Sequence, residues 1–200
     1  MSTFRILAFC IGLMFAAPAG AGAVADCDQA KDWDLTISGC TALILKDPRD
    51  ALAYNNRGAG HNAKKKYDLA IADFTKTIEL DPKHELAYSN RGLAYAYKGD
   101  YDRAIADLDK AIALNPKDAR PFSHRCFAYN GKQDYDRAIA DGTKAIELDP
   151  MLTEAYYNRA IAYESKGDTH NAIVDYRRAV ANDPNNQDSK NALKRLGASP

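Results

Sequence analysis

Apolar and polar positions along the chain follow the period of an α-helix, and the same pattern returns at a fixed interval. Within residues 85–118, the first half places Tyr88, Gly92 and Tyr95 on one helical face, because side chains three or four residues apart lie on the same side of a helix. The second half repeats this spacing at Tyr101, Ala104, Ile105, Leu108, Ala111 and Ile112. Each unit therefore predicts two amphipathic helices joined by a short turn.

The helix ends are marked by glycine, aspartate and proline. Between the two halves of residues 85–118, Lys98, Gly99 and Asp100 supply a basic last turn, a glycine stop and a cap for the next helix. A proline then ends each second helix, because the residue before proline is displaced from the α region. These prolines recur at the same fixed interval: Pro48, Pro82, Pro116, Pro150 and Pro184. Such a repeat predicts an all-α array in which each unit packs only on its neighbours.

The repeat divides the chain into seven segments. In the second segment, Trp33 and Ile37 fall in second-helix columns, so this unit is a half repeat with almost no first helix. The last segment carries a narrow apolar stripe and predicts a capping helix whose charged residues, Arg195 among them, are solvated. The segments are the leader 1–25, the half repeat 26–48, the full repeats 51–84, 85–118, 119–152 and 153–186, and the capping helix 187–197.

The leader at 1–25 differs in composition from the repeats. Residues 1–5 are short and basic, residues 6–17 are apolar without charge, and residues 23–25 read Ala-Val-Ala. This order is typical of a bacterial secretory signal peptide. It predicts cleavage near Ala25 and a periplasmic or secreted protein without stable membrane insertion. An uncleaved anchor is the alternative, although the apolar run is shorter than the ~20 residues that a spanning helix needs.

Three cysteines remain after that cleavage: Cys27, Cys40 and Cys126. Export permits a disulfide, and Cys27 with Cys40 is the natural pair, which leaves Cys126 as a buried free thiol. The bridge would hold the N-terminal segment across the open face of the half repeat. In repeat register, a first helix would place the two cysteines about two turns apart. We therefore expect a folded-back, non-helical segment there.

Charge and motifs give no sign of catalysis. The chain has 27 basic and 27 acidic residues, so it lacks the basic field that attracts nucleic acid or anionic lipid. Its four histidines fall in four different repeat columns, which leaves no pair on one helical turn for a metal. No nucleophile, phosphate-loop or zinc motif occurs. We expect no enzyme activity, no metal site and no cofactor.

The repeat columns resemble the tetratricopeptide repeat, and the resemblance covers the whole predicted mature chain. It implies a right-handed superhelical solenoid of antiparallel helix pairs, with four full repeats of about 34 residues each between the half repeat and the capping helix. First helices would line a concave groove that binds a protein or peptide. Gly58 and Gly92 would face alanines of their second helices. The second repeat carries the family pattern at Tyr88, Arg91, Gly92, Tyr95, Ala104, Leu108 and Pro116.

In family register, one column of the groove carries Asn56, Asn90 and Asn158, with His124 in the remaining repeat. Amides both donate and accept hydrogen bonds, so this column predicts a ladder that grips a peptide backbone. A chaperone-type carboxylate clamp is not expected, because Asn55 and His124 replace its Lys and Arg. The candidate groove residues are Asn55, Asn56, Leu86, Ser89, Asn90, Leu93, Arg120, His124, Phe127, Tyr157, Asn158 and Ile161.

Two further features concern packing. Gly142 stands where the other repeats have a bulky core residue, which predicts a hole that Phe122 or Phe127 fills, or a small binding pocket. Two charged columns predict a repeated surface ion pair of low energy. These columns are Arg57, Arg91, Arg125 and Arg159 with Asp73, Asp107, Asp141 and Asp175.

The sequence thus favours an exported adaptor, monomeric rather than oligomeric, that binds a partner protein in its groove. Two alternatives stay open at this point. One is a structural subunit that assembles with its own copies. The other is a non-catalytic regulatory subunit of an envelope enzyme. The partner is not identified by any residue pattern.

Overall fold

A computed structural model describes residues 23, 25–28 and 32–199. Apart from residues 23 and 25, the predicted signal peptide lies outside these described residues. The described part is helical and contains no strand. Its helices are α1 (Trp33–Lys46), α2 (Ala51–Ala63), α3 (Tyr67–Leu80), α4 (Glu85–Tyr97), α5 (Tyr101–Leu114), α6 (Ala119–Gly131), α7 (Tyr135–Leu148), α8 (Thr153–Ser165), α9 (Thr169–Asn182) and α10 (Gln187–Arg195).

The helices form a solenoid of antiparallel pairs, which confirms the predicted fold class. The four pairs are α2 with α3, α4 with α5, α6 with α7, and α8 with α9. Each first helix also contacts the next first helix, from α2 through α8, whereas successive second helices form no comparable contact in the described part. First helices therefore lie on the inner, concave side of the array.

The turn between α4 and α5 shows why the helices end where the sequence predicts. Gly99 has φ +80°, a conformation that costs glycine little because it has no Cβ. The carboxylate of Asp100 then accepts a hydrogen bond from the backbone N–H of Arg103 at 3.2 Å and caps α5. At the other end, α5 stops at Leu114, two residues before Pro116.

Small residues on the first helices let the two helices of a pair approach closely. A methyl group at Gly92 would lie 2.8 Å from Leu108 Cγ and 3.1 Å from the carbonyl oxygen of Ala104. At Gly58, the nearest atoms belong to the Phe74 ring, at 2.7 Å. The prediction that alanines face these glycines is thus incomplete, because the bulky core residue of the second helix makes the nearer contact.

The predicted hole at Gly142 is wrong. A methyl group there would lie 2.7 Å from Cβ and 3.2 Å from Cγ of Arg159. The aliphatic stem of Arg159, from the next repeat, therefore packs where the sequence suggested Phe122, Phe127 or a pocket. Cys126 lies in the same repeat as a buried free thiol, as predicted, and burial raises the pKa of that thiol.

The predicted surface ion pairs form in every full repeat, but they are not on the surface. In each pair the arginine Nε and Nη2 donate to both carboxylate oxygens at 2.7–2.9 Å, and the aspartate is buried. Arg91 also donates from Nη1 to Thr75 Oγ1 on the preceding second helix, at 3.0 Å. One guanidinium thus joins three helices, and the prediction that these pairs lie on the surface is wrong.

The N-terminal half repeat is closed by a disulfide between Cys27 and Cys40, both buried. Residues 25–27 are helical, so the expectation of a non-helical segment is wrong. This turn packs against α1 at Gly39, where an added methyl group would lie 2.7 Å from Cβ of Asp26. It therefore takes the place of the missing first helix, and Gly39 allows the close approach.

The last helix, α10, covers the end of the array with the buried residues Ala192 and Leu193. The prediction that Arg195 is solvated is incomplete. Its guanidinium donates to both carboxylate oxygens of Glu164 on α8, at 2.8 Å. This ion pair ties α10 to α8 of the fourth repeat.

Candidate functional site

Polar side chains of successive first helices hydrogen-bond to one another across each repeat junction. In each pair, a side chain on one first helix meets the side chain 35 residues later in the sequence, on the next first helix. This contact joins side chains that the sequence assigned to the groove. The pairs are Asn55 with Asn90 at 3.4 Å, Ser89 with His124 at 3.1 Å, and Ser123 with Asn158 at 3.3 Å.

These pairs give the predicted amide ladder a structural role. His124 and Asn158 are buried, and Asn158 Nδ2 also donates to the Ser123 carbonyl at 3.1 Å. Polar groups used in this way set the angle between repeats, because a buried donor or acceptor without a partner is costly. Asn56 and Asn90 are partly exposed. Direct contact between this column and a ligand stays a prediction.

Aromatic rings of the first three full repeats form a continuous row, and two of them, Tyr97 and Phe127, belong to first helices. The rings of Tyr67 and Tyr97 stack with centroids 5.3 Å apart, and Tyr97 meets Phe127 at 5.4 Å with a tilt of 55°. Tyr97 is 49% exposed, which is unusual for a ring of its size. Leu93 is partly exposed on the same helix as Tyr97. The row offers a rigid apolar surface to an extended chain.

Charged side chains from three repeats converge beside this row. Asp118 accepts two hydrogen bonds from the Arg120 guanidinium; this pair raises the pKa of Arg120, and Glu85 and Glu154 add to the effect. Burial raises the pKa of Tyr97, and so does the charge of Glu154. Glu154 thus lies within electrostatic range of a ring two repeats earlier in the chain.

At the C-terminal end, the concave face deepens into a pocket of about 510 Å³ between α8 and α10. Tyr157 and Ile161, both predicted for the groove, line it, and the Tyr157 ring lies 5.8 Å from the Tyr176 ring. Glu164 accepts a hydrogen bond from Tyr176 Oη at 2.8 Å. The remaining wall comes from α10, through Asp188, Asn191, Ala192 and Arg195.

The twelve predicted groove residues therefore divide into two groups. Asn55, Ser89, His124 and Asn158 are buried between first helices. The other eight are at least partly exposed: Asn56, Leu86, Asn90, Leu93, Arg120, Phe127, Tyr157 and Ile161. Whether they contact a ligand stays a prediction.

Sequence reasoning missed two parts of this surface. The rings of Tyr67 and Tyr97 belong to different helix columns, and only their spacing, which equals that between Tyr97 and Phe127, could have indicated the row. The sequence predicts α10 only as a capping helix. Continuing the repeat register would have placed Asp188 in the column of Glu154, and thus on the concave side.

His124 is the histidine of the site whose pKa is strongly shifted. Burial lowers its pKa to about 4, and the charge of Arg120 acts in the same direction. Asp118 opposes this shift more weakly. His124 is therefore neutral at neutral pH, and its hydrogen bond to Ser89 belongs to the neutral ring.

Because of His124, the folded protein is expected to lose stability in mild acid. Because its folded-state pKa lies below the ordinary 6.5, the unfolded chain binds the proton more readily, and stability falls as pH falls through the window between those values. From about pH 7.5 to pH 5, we expect a contribution of about 2 kcal/mol from this group. Urea unfolding at a series of pH values measures it.

The matched control is His124→Asn, which installs the residue found in the same column at Asn56, Asn90 and Asn158. An amide retains a partner for Ser89 and does not titrate. We expect the variant to lose about 2 kcal/mol less than the natural protein over the same pH range. His61, whose pKa burial also lowers, is present in both proteins. Parallel pH profiles would contradict the assignment to His124.

No group of three or more His, Cys, Asp or Glu side chains with metal-binding geometry occurs in the described part of the chain. Among the same residues, none of the helices combines the length and apolar character needed to span a membrane.

Two family models match the sequence. The model described as "Tetratricopeptide repeat" matches residues 51–84, 86–118 and 153–186. The model described as "TPR repeat" matches residues 127–167. The matches of the first model alone span half of the chain. No curated protein matches the sequence significantly.

Solved structures share the fold. A thermophilic TPR protein from Thermus thermophilus superimposes with a TM-score of 0.71 at 19% identity, over 82% of this chain and 90% of its own. MamA from Desulfovibrio magneticus RS-1 gives 0.69 at 19% identity, over 84% and 94%. YrrB, described as a TPR protein with an unusual peptide-binding site, gives 0.61 at 20% identity, over 81% and 84%. At these identities the likeness concerns the fold.

Proposed function

Because the chain belongs to the tetratricopeptide repeat family, we propose that it is a non-catalytic scaffold that binds an extended segment of a partner protein along its concave face. The observation that carries this proposal is the aromatic row of Tyr67, Tyr97 and Phe127, of which Tyr97 is exposed and the other two are partly exposed. The described peptide-binding site of YrrB, a protein of the same fold, supports it.

The concave face suits such binding because it is held rigid before a ligand arrives. Inter-repeat hydrogen bonds such as Ser89 to His124 and the three-helix contacts of arginines such as Arg91 fix the angle between neighbouring units. A preformed surface loses little conformational entropy on binding. The partly exposed side chains between these contacts, Leu93 and Phe127 among them, supply apolar contact area.

We further propose that the protein works outside the cytoplasm, in the periplasm or after secretion. The leader at residues 1–25 has the composition of a signal peptide. The Cys27–Cys40 disulfide supports an oxidising compartment, because such bonds persist there and are rare in a reducing cytosol. Mass spectrometry of protein from an envelope fraction tests this. An intact leader in a cytoplasmic fraction would contradict it.

The groove proposal predicts that Phe127→Ala weakens peptide binding. Peptides selected from a random displayed library against the mature protein would be titrated by fluorescence anisotropy. We expect about ten-fold weaker binding, because a buried aromatic anchor at an interface contributes at least about 1.4 kcal/mol. Leu93→Ala is expected to weaken binding to a smaller degree, and circular dichroism melting checks that both variants fold.

Leu45→Ala is the matched control. Leu45 is also an exposed leucine, 80% accessible, but it lies on α1, which contributes no ring to the aromatic row. Its replacement is expected to leave the affinity unchanged. Selected peptides that bind the Phe127 variant and the natural protein equally well, or a library that yields no binder, would overturn the groove proposal.

A further inference from the structure

We propose that the pocket between α8 and α10 binds a lysine or arginine side chain of the partner segment. The inference rests on the proposed groove binding and adds the chemistry of the partner. It assigns a binding role to α10, the helix that the sequence marked as a cap.

Helix α10 continues the register of the first helices. Asp188, Asn191 and Arg195 stand in the repeat columns of Glu154, Tyr157 and Ile161, one repeat further along the chain. Helix α10 is therefore the first helix of an incomplete fifth unit, and its inner side continues the concave face. Its opposite side buries Ser189 and Leu193 against the fourth repeat. The pocket of about 510 Å³ lies where this extended face meets α8.

Three charged side chains line the pocket: Glu164, Asp188 and Arg195. Glu164 on its wall is already satisfied, since it accepts hydrogen bonds from Tyr176 Oη and from both donating groups of Arg195. Glu164 and Arg195 cancel each other. Asp188 forms no ion pair among the described residues. It lies in the first turn of α10, where the helix dipole favours a carboxylate. The pocket thus carries one uncompensated negative charge.

The pocket also has an aromatic and an apolar wall, formed by Tyr157 and Ile161. Tyr157 is half-buried and packs at 55° on the Tyr176 ring, so its orientation is fixed. Tyr157 and Asp188 line the same cavity. Burial raises the pKa of Tyr157, and the charge of Asp188 adds to this rise while that of Arg195 opposes it. Ile161 completes an apolar wall.

This combination fits a cationic side chain. The ammonium or guanidinium group would pair with Asp188 and lie against the Tyr157 ring, since aromatic rings attract cations at short range. The aliphatic stem of lysine or arginine would pack along Ile161, as such stems do on apolar surfaces. An acidic ligand would be repelled by Asp188. A carboxylate clamp binds a negatively charged group, whereas this pocket selects a positively charged one.

The test uses two pools of extended, acetylated and amidated peptides, identical except that one fixed position is lysine in one pool and norleucine in the other. Against the mature natural protein, we expect the lysine pool to bind about five-fold tighter, as for a partly exposed ion pair. With Asp188→Asn, the two pools are expected to bind equally. The preference is also expected to shrink at high salt.

Glu79→Gln is the matched control, because it makes the same charge change at an exposed position on the second helix α3. It is expected to keep the five-fold preference. Melting curves of the Asp188 variant establish that α10 stays docked, and Asp188→Glu, which retains the charge, is expected to keep a preference for lysine.

The outcomes separate the two proposals. Binding that depends on Phe127 but shows no preference for lysine, or a preference that survives in Asp188→Asn, overturns the pocket proposal and leaves groove binding intact. A pool with glutamate at the fixed position that binds tighter than the norleucine pool overturns it as well. Failure of every pool to bind the natural protein overturns both proposals.

Discussion

Replacing Arg91 with methionine is expected to lower the free energy of unfolding by about 3 kcal/mol, the lower end of the range for breaking a buried ion pair. Methionine keeps an apolar stem of similar length. The change removes two hydrogen bonds to Asp107 and one to Thr75, and it leaves the carboxylate of Asp107 buried without its cation. Urea unfolding monitored by circular dichroism measures the loss.

Two further variants test whether burial causes this loss. Arg103→Met removes an arginine from the same repeat, but the ion pair of Arg103 with Asp100 is exposed. We therefore expect the free energy of unfolding to change by less than about 1 kcal/mol. The double variant Arg91→Met/Asp107→Leu removes both charges and is expected to recover much of the stability. Equal losses for Arg91→Met and Arg103→Met would refute the role given to the buried pair.

Reduction of the Cys27–Cys40 bridge is expected to release the N-terminal unit. The cysteines are 13 residues apart, and closing a loop of that size stabilises the folded state by about 3 kcal/mol in the chain-entropy model. Because each unit of a solenoid contacts only its neighbours, the loss is expected to concentrate in α1. Amide hydrogen exchange there should accelerate by about 100-fold on reduction.

Exchange in α8 and α9, at the far end of the array, serves as an internal reference and should change little. The variant Cys27→Ala/Cys40→Ala should match the reduced protein and lose its response to reductant. Cys126→Ala, which removes the free thiol, should respond to reductant as the natural protein does. Uniform acceleration along the whole chain would show that the bridge stabilises the array globally, contrary to this prediction.

Both predictions bear on function, because the groove is only as rigid as the contacts between its units. The arginine column fixes each first helix against two second helices, and the disulfide holds the helical turn that stands beside the first full repeat. Asp28 of that turn accepts a hydrogen bond from Asn56 at 3.2 Å. The N-terminal turn therefore forms part of the concave face, and its release would alter one end of the proposed groove.

Much of the fold could be predicted from the sequence, because its determinants are local and repeated. Helical periodicity, Gly99 with Asp100 at a turn, and the proline column all act over a few residues. Their recurrence at a constant interval reveals the stacking. The pairing of the arginine and aspartate columns also followed from register. The burial of the aspartates did not, because it depends on how three helices pack around each guanidinium.

The candidate site was predicted less completely, for the same reason. Register placed His124 and Asn158 on inner helices, but only packing turned their polar atoms toward Ser89 and Ser123. The exposed ring of Tyr97 gains its stacked neighbours from other repeats. Contacts of this kind join residues of different repeats and depend on the angle between units, which no single repeat encodes.

The sequence by itself determined that this chain is a stack of helix pairs, where the turns of the full repeats lie, and which cysteines were available to pair. Those properties arise from short-range periodicity and backbone preference. Only the tertiary structure decided that Arg159 fills the space beside Gly142, that the aspartates of the arginine–aspartate pairs are buried, and that α10 forms a pocket with α8. These depend on side-chain volume and charge brought together across repeats, where packing decides which atoms meet.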